Sequence, residues 1–291
     1  MRITANHLID LATTATQKAQ QQVADATEVA SSGLSVAVPS DDVTAWVSAA
    51  RDRARQALSS GGGAAIATGL DKLEQTDGAL SSLASIVSNA KQIAIQGASQ
   101  TLTGVDRTNL AAEASSLFEG ALSAVNAQAP DGTYLLAGSQ SGQPPFSATG
   151  VYQGDSDDDQ VAMTDGSHRT VGLSGDVLTA SHGVDVLQSI SQLGSALSSN
   201  DPVAVQTAIG SLTTAITQLS AARAQGGAAQ AALNSADTSR KQLETQLDST
   251  ASDLVQADAV GAASKLAQAT QGLQISQAVS AKVIASLSSN S

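Results

Sequence analysis

Between Val205 and Leu254 one theme recurs at every seventh residue: Val205, Leu212, Leu219, Gly226, Leu233, Arg240, Leu247 and Leu254, six of the eight apolar. A sustained apolar heptad is the mark of a coiled coil or a long helical bundle. It places the apolar groups along one seam of a helix, and that seam has to be covered by other helices. Gly226-Gly227 and Arg240 weaken the pattern locally.

The composition agrees with a long-helix protein. Aromatic residues make up 2% of the 291 residues, and 54 residues are Ala. Aromatic side chains usually supply much of a core's buried area. Here that area has to come from Ala, Leu, Val and Ile, and small side chains let helices approach closely at little entropic cost.

Helical periodicity is present at both ends of the chain. Leu8, Ala12, Ala15, Ala19, Val23, Ala26 and Ala30 step by three and four, one face of a helix that stops at Ser31-Ser32-Gly33. In Pro39-Ser40-Asp41-Asp42, Ser40 or Asp41 suits the N-cap of a next helix. That helix holds Trp46 and the Arg51, Arg53, Arg55 cluster, and Gly61-Gly62-Gly63 is expected to interrupt or loosen it. A longer seam runs through Ile66, Leu70, Leu73, Leu80, Leu83, Val87 and Ala94. Asp106 starts another helix, and Pro130-Asp131-Gly132 ends it. The last forty or so residues carry two apolar stripes, Leu266, Ala269, Leu273 and Ile275, Val279, Val283, with Ile284 beside them. A helix apolar over so much of its circumference needs cover on several sides, which many neighbouring subunits supply better than one intramolecular partner.

Residues 130–183 differ in kind. They hold three of the five Pro and three of the five aromatics. The short apolar stretches Thr133–Leu136, Gln160–Met163 and Thr170–Leu173, bounded by turn residues, predict a small β-rich domain, with Asp165-Gly166 as a hairpin turn. The expected architecture is mainly α, a long antiparallel helical bundle with paired terminal helices and a β-rich insert. Its segments are 1–40, a terminal helix; 41–129, the first part of a helical rod; 130–183, the β-rich insert; 184–250, the second part of the rod; and 251–291, the other terminal helix.

Several classes of function find no support. With no Cys there is no disulfide, thiolate nucleophile or Cys-based zinc site. His7, His168 and His182 lie far apart, outside any HExxH pattern. A net charge of −12 and a pI near 4.4 lack the basic footprint of a nucleic-acid binder and oppose docking on anionic lipid. No run approaches the ~18 apolar residues of a membrane span, and the N-terminus has no apolar signal segment. On these grounds alone the chain reads as cytoplasmic, with no cofactor, no metal and no catalytic group. Asp155, Asp157, Asp158 and Asp159 lack an EF-hand pattern and read as a solvated acidic loop. Asp41 and Asp42 are adjacent on a helix start and read as caps rather than a catalytic pair. Trp46 reads as bundle core or as an interface anchor, the Arg cluster as a solvated face or a subunit contact.

The two ends resemble the flagellin superfamily. Ala30-Ser31-Ser32-Gly33-Leu34 followed by Pro39-Ser40-Asp41-Asp42 is similar to its N-terminal signature, and Gly33, Ser40, Asp41 and Asp42 are the turn and helix-start positions. Asp253-Leu254-Val255-Gln256-Ala257-Asp258, then Lys265-Leu266, Gln271-Gly272-Leu273-Gln274 and Lys282-Val283, is similar to its C-terminal helix. In the middle, Asp131–Gly138, Pro144-Pro145-Phe146 and Tyr152-Gln153-Gly154-Asp155 resemble its hook-associated branch, as does Ala222-Arg223-Ala224-Gln225-Gly226-Gly227. Departures are Leu136 for a usual aromatic, Val43 for Pro or Ala, Ser35 for a basic residue and Lys91 for Arg.

The resemblance implies a structural, non-enzymatic subunit of the bacterial flagellum, placed where hook meets filament and templating flagellin assembly. It implies terminal helices that pair as an inner tube, with Leu8, Leu11, Ala15, Val23, Leu254, Leu266, Leu273, Ile275, Val279, Val283 and Ile284 at subunit contacts. It also implies other copies, a hook-associated neighbour and flagellin as partners. The location becomes extracellular, reached through the flagellar type III pathway with a dedicated chaperone and no cleaved signal, which overturns the cytoplasmic reading. The terminal helices are expected to be disordered in the monomer and to fold on assembly. Alternatives are the major filament subunit itself and, more distantly, a coiled-coil binding module.

Overall fold

The computed structural model describes residues 5–162 and 167–288. In chain order the elements are α1 (Ala5–Ser32), α2 (Val43–Gly97), α3 (Gly104–Val125), β1 (Gln160–Ala162), β2 (His168–Thr170), α4 (Val186–Ser198), α5 (Pro202–Val255) and α6 (Ala259–Ser288). Two short 3-10 turns, Gly175–Leu178 and Ala180–His182, precede α4. The chain forms two compact units. One consists of Met1–Ala57 and Leu243–Ser291, the other of Leu58–Gln242. Both long helices contribute to each.

In the second unit the core is a four-helix seam of small and branched side chains. Leu83, Val87, Ala90 and Ala94 of α2, Ala114 and Ala121 of α3, Leu187, Ile190, Leu193 and Leu197 of α4, and Leu212, Ala215 and Leu219 of α5 are all buried. The heptad explains α5. Val205, Leu212, Leu219 and Leu233 have no exposed surface, and burying each side chain contributes about 1.5–3 kcal/mol. A smaller cluster of Ile66, Leu73, Val171 and Leu233 seats the β1–β2 hairpin.

Two local irregularities in the sequence fit one another. The expected interruption at Gly61-Gly62-Gly63 is absent: α2 runs through it. A Cβ on Gly63 would lie 2.7 Å from the Arg240 guanidinium carbon, so the bare helix surface accommodates the one long polar residue in the heptad. Asp237 holds that guanidinium at 2.7 Å.

The helix starts follow side-chain capping. Asp42, rather than Ser40 or Asp41, caps α2: its Oδ1 accepts from Thr44 N at 2.9 Å and Ala45 N at 3.0 Å. Asp41 instead closes the preceding turn, accepting from Ala37 N and Val38 N. Thr103 and Asp106 form a reciprocal capping box at α3. Arg107, one turn in, is 6% exposed. Its guanidinium donates to Gly97 O (3.0 Å), Ser99 O (2.8 Å) and Asn200 Oδ1 (2.6 Å), joining the end of α2 to the α4–α5 turn.

Among the described residues the middle carries less strand than its short apolar stretches predict. β1 and β2 pair antiparallel, Gln160 with Thr170 and Val161 with Arg169, and each is three residues long. The expected Asp165-Gly166 turn and Met163 lie outside the described residues. Thr133–Leu136 contributes only an isolated bridge, Gln128 to Tyr134. Leu135, Leu136 and Leu173 are buried, so these segments are held by packing on the helices and by side-chain bonds to the backbone. Asn126 shows the latter: its amide donates to Phe146 O and accepts from Phe146 N, both at 3.0 Å. Phe146 and Tyr152 pack with their rings tilted at 49° and centroids 5.1 Å apart. The Tyr152 hydroxyl donates to Asp155 O at 2.6 Å, and burial raises its pKa above the ordinary value.

Candidate assembly surface

The first unit brings the two ends of the chain together. α1 and α6 run antiparallel: Thr16 Oγ1 lies 2.9 Å from Ser280 Oγ and 3.2 Å from Ser276 Oγ, and Ser280 Oγ donates to Ala12 O. On α1 the covered positions are Leu8, Ala12, Thr16, Ala19, Val23, Ala26 and Val29. The seam thus passes through Thr16 and Val29, leaving Ala15 and Ala30 exposed. On α6 it passes through Ala262, Leu266, Ala269, Leu273, Ser276, Ser280 and Val283. These three- and four-residue steps are those of two helices packed along their length. Three hydroxyls sit where a coiled coil would carry branched aliphatics, so this pair buries little apolar area for its length.

The two signature segments meet at the other end of that pair. Gly33 takes φ +70° just after α1, a left-handed conformation that glycine adopts without strain. Leu34 then bridges antiparallel to Gln256. Ser35 N donates to Val255 O at 2.8 Å and Ala257 N to Gly33 O at 2.9 Å. Below them Leu34, Val36 and Leu254 pack on Ala49, Ala251 and Val255. Asp258 caps α6, accepting from Val260 N and Gly261 N. Ser40 is exposed.

Several large apolar side chains of this unit point outward. Leu11 is 53% exposed, Ile275 58%, Val279 53% and Ile284 57%. Leu8, Val23, Leu254, Leu266, Leu273 and Val283 are half-buried. A groove of about 520 Å³ lies along the pair, lined by Gln22, Asp25, Ala26, Lys265 and Gln268 among others. Its hollow comes from Ala26, Ala262 and Ala269, which are too short to fill the space between the helices.

The acidic loop is a fastening rather than a cation cage. Asp155 accepts from the backbone and hydroxyl of Ser139, which holds its carboxyl below the usual value. Asp158 accepts from Ser174 N at 3.0 Å, and Asp159 pairs with Lys72. Among the described residues no group of three or more His, Cys, Asp or Glu is arranged to hold a metal ion, and no helix is long and apolar enough to cross a membrane. Trp46, read as core or anchor, is 37% exposed. The buried polar residues Arg107 and Gln218 were not singled out by sequence. Gln218 donates to Val177 O and Thr179 O and accepts from Val184 N, fixing the loop before α4.

Residues 3–141 match the model of the bacterial flagellin N-terminal helical region. No curated protein matches the chain as a whole sequence. Solved structures share its fold. One described as a flagellar hook-associated protein from Vibrio parahaemolyticus superposes with a TM-score of 0.68 at 20% identity, covering 74% of this chain and 100% of that one. FlgL of Bacillus cereus gives 0.59 at 16% identity over 70% of this chain and 99% of its own. Hook-associated protein-3 of Legionella pneumophila gives 0.58 at 16% identity over 71% and 97%. Residues 3–141 are thus similar to a flagellin N-terminal helical region, and the chain has the fold of these solved structures.

Proposed function

We propose that this chain is a structural subunit of the bacterial flagellum that forms the junction between hook and filament and presents a template to flagellin. The observation that carries the reading is the antiparallel α1–α6 pair, which leaves Leu11, Ile275, Val279 and Ile284 in water. Isolated helices with few large apolar contacts are marginal, and their exposed apolar surface is stabilising only once neighbours cover it. Contacts between identical chains through two different patches do not close into a dimer; they build rings or helices. The terminal helices then supply a geometry common to the layers on either side.

The same reading makes the protein non-enzymatic and extracellular, exported without a cleaved signal and escorted by a flagellar chaperone. Its partners are its own copies, a neighbouring hook-associated protein and flagellin. The fold shared with the hook-associated structures, one of them described as a flagellar junction protein, supports the junction over the filament shaft. Immunogold electron microscopy of sheared flagella, with antibody against residues 131–182, tests it. Label confined to the hook end is expected. Label along the whole shaft makes the chain a filament subunit, and absence from flagella overturns the flagellar reading.

A further inference from the structure

We propose that α2 carries a latched opening point: it unwinds locally around Gly61-Gly62-Gly63 while the core at Leu83 and Val87 stays folded, and the Arg240 guanidinium of α5 holds it closed. The proposal stands apart from how copies assemble. Between Ala49 and Ile66 the inward face of α2 passes through Asp52, Gln56, Ser59 and Gly63, which at about 100° per residue lie on one side of the helix. Between Leu233 and Leu247 the inward face of α5 passes through Asp237, Arg240 and Glu244, again on one side. For about three turns, then, the inward face of α2 carries no aliphatic side chain, whereas the turns that follow carry Ile66, Leu73 and Leu80, each 1% exposed. Ser59 is 4% exposed, and its hydroxyl is a buried polar group with no partner among the described residues.

Such a stretch is where a long helix opens first. Local stability follows buried apolar contacts, and glycine weakens a helix interior more than any residue but proline. The three consecutive glycines nevertheless stay helical, and Arg240 is what covers the last of them. A Cβ on Gly63 would stand 2.7 Å from the Arg240 Cζ, 2.9 Å from Nη2 and 3.0 Å from Nη1, so the guanidinium rests on bare α2 backbone. Only 13% of the Arg240 side chain is exposed, and Asp237 accepts from its Nε at 3.0 Å and its Nη2 at 2.7 Å. Lys241 reaches the other Asp237 oxygen at 2.7 Å. The Arg240 charge is thereby met on its own helix, and the group closes over α2. Gly61, two residues earlier, faces nothing within 4 Å, so the latch acts at Gly63.

Amide hydrogen exchange on the full chain, read by mass spectrometry and corrected for intrinsic rates, tests both halves of the proposal. Amides of residues 59–64 are expected to exchange at least about tenfold faster than those of residues 80–90, because they open without the core. Gly61→Ala should slow them about fivefold, the propensity difference between glycine and alanine. Gly63→Ala brings the same propensity gain but unseats the guanidinium, so it should speed them instead, as should Arg240→Ala. In an Arg240→Ala background Gly63→Ala should revert to slowing exchange, the coupling expected of two groups in contact. Exchange of residues 59–64 at the rate of residues 80–90 means that no local opening exists and overturns the proposal. Slowing by Gly63→Ala with Arg240 in place removes the latch and overturns it as well. If Arg240→Ala fails to fold, the opposite signs of Gly61→Ala and Gly63→Ala decide the matter by themselves.

Discussion

Removing the Arg107 guanidinium tests how the second unit is fastened. The side chain is 6% exposed and donates to three acceptors at 2.6–3.0 Å, none of them a carboxylate. Two are carbonyls at the end of α2, Gly97 and Ser99, where a helix leaves acceptors without intrahelical donors. Arg107→Met keeps the packed stem and deletes all three bonds. At about 1 kcal/mol net for each, the loss is about 3 kcal/mol. In a domain of this size that lowers the thermal midpoint by about 6–12 °C. Arg107→Lys retains one donor group and should lose about 2 kcal/mol. Asn200 has φ +53°, so Asn200→Gly costs little in backbone strain and removes one bond, about 1 kcal/mol. Urea titrations followed by far-UV circular dichroism give the three values. The expected order is Met, then Lys, then Asn200→Gly. A loss below about 1 kcal/mol for Arg107→Met would refute the reasoning, because water would then be replacing the guanidinium at no net cost.

Three further outcomes follow from the packing and the charges. Asp77 is held below its ordinary pKa of 3.8 by its hydrogen bond from Arg223, and Asp237 by those from Lys241 and Arg240. A carboxyl lowered in the folded state stabilises above its unfolded pKa and loses that contribution as pH falls through the folded one. Self-repulsion of the −12 chain relaxes on the way from pH 7 to the pI of 4.4. The thermal midpoint should therefore hold or rise down to pH 4.4 and drop below 3.8, as scanning calorimetry across that range will show. Gly78→Ala meets no atom within 4 Å and should stabilise α2 by about 0.5–1 kcal/mol. Gly69→Ala puts a Cβ 2.5 Å from Val171 Cγ1 and should destabilise by about 1–3 kcal/mol by pushing the hairpin away; chemical denaturation of the pair checks the opposite signs. Leu212→Ala should cost about 2–5 kcal/mol in the monomer. Ile284→Ala, at an exposed site, should stay within about 0.5 kcal/mol while its sedimentation shows weakened self-association.

How much of this was legible depended on the range of the interaction. The heptad on α5 was readable because each seam residue is set by local period, and the structure buries Val205, Leu212, Leu219 and Leu233 completely. Gly61-Gly62-Gly63 and Arg240 were visible as flaws, but their fit to one another depends on two helices lying side by side, which neither segment encodes alone. The middle misled for a similar reason. The short apolar stretch Thr133–Leu136 reflects burial of Leu135 and Leu136, with Leu136 packed into the helical core, not a partner strand. On α1 the periodicity located the helix and five of its seven seam positions, but took Ala15 for Thr16 and Ala30 for Val29; Thr16 is polar, and only Ser276 and Ser280 opposite explain its burial. Arg107 carried no sequence signal: an arginine in the first turn of a helix reads as solvated until the carbonyls around it are known.

The pairing of α1 with α6 also fixes an order of events. Thr16 meets Ser280 across 264 residues of chain, so the first helix completes its contacts only after the last has been delivered. Residues 58–242 contain a core of their own and can condense while the C-terminal segment is still being synthesised. Throughout that interval the leading end remains an unsatisfied half of a pair, available to any other helix that fits it. Closing so long a loop is slow relative to local helix formation. Any trailing-end truncation is therefore felt first at the opposite terminus.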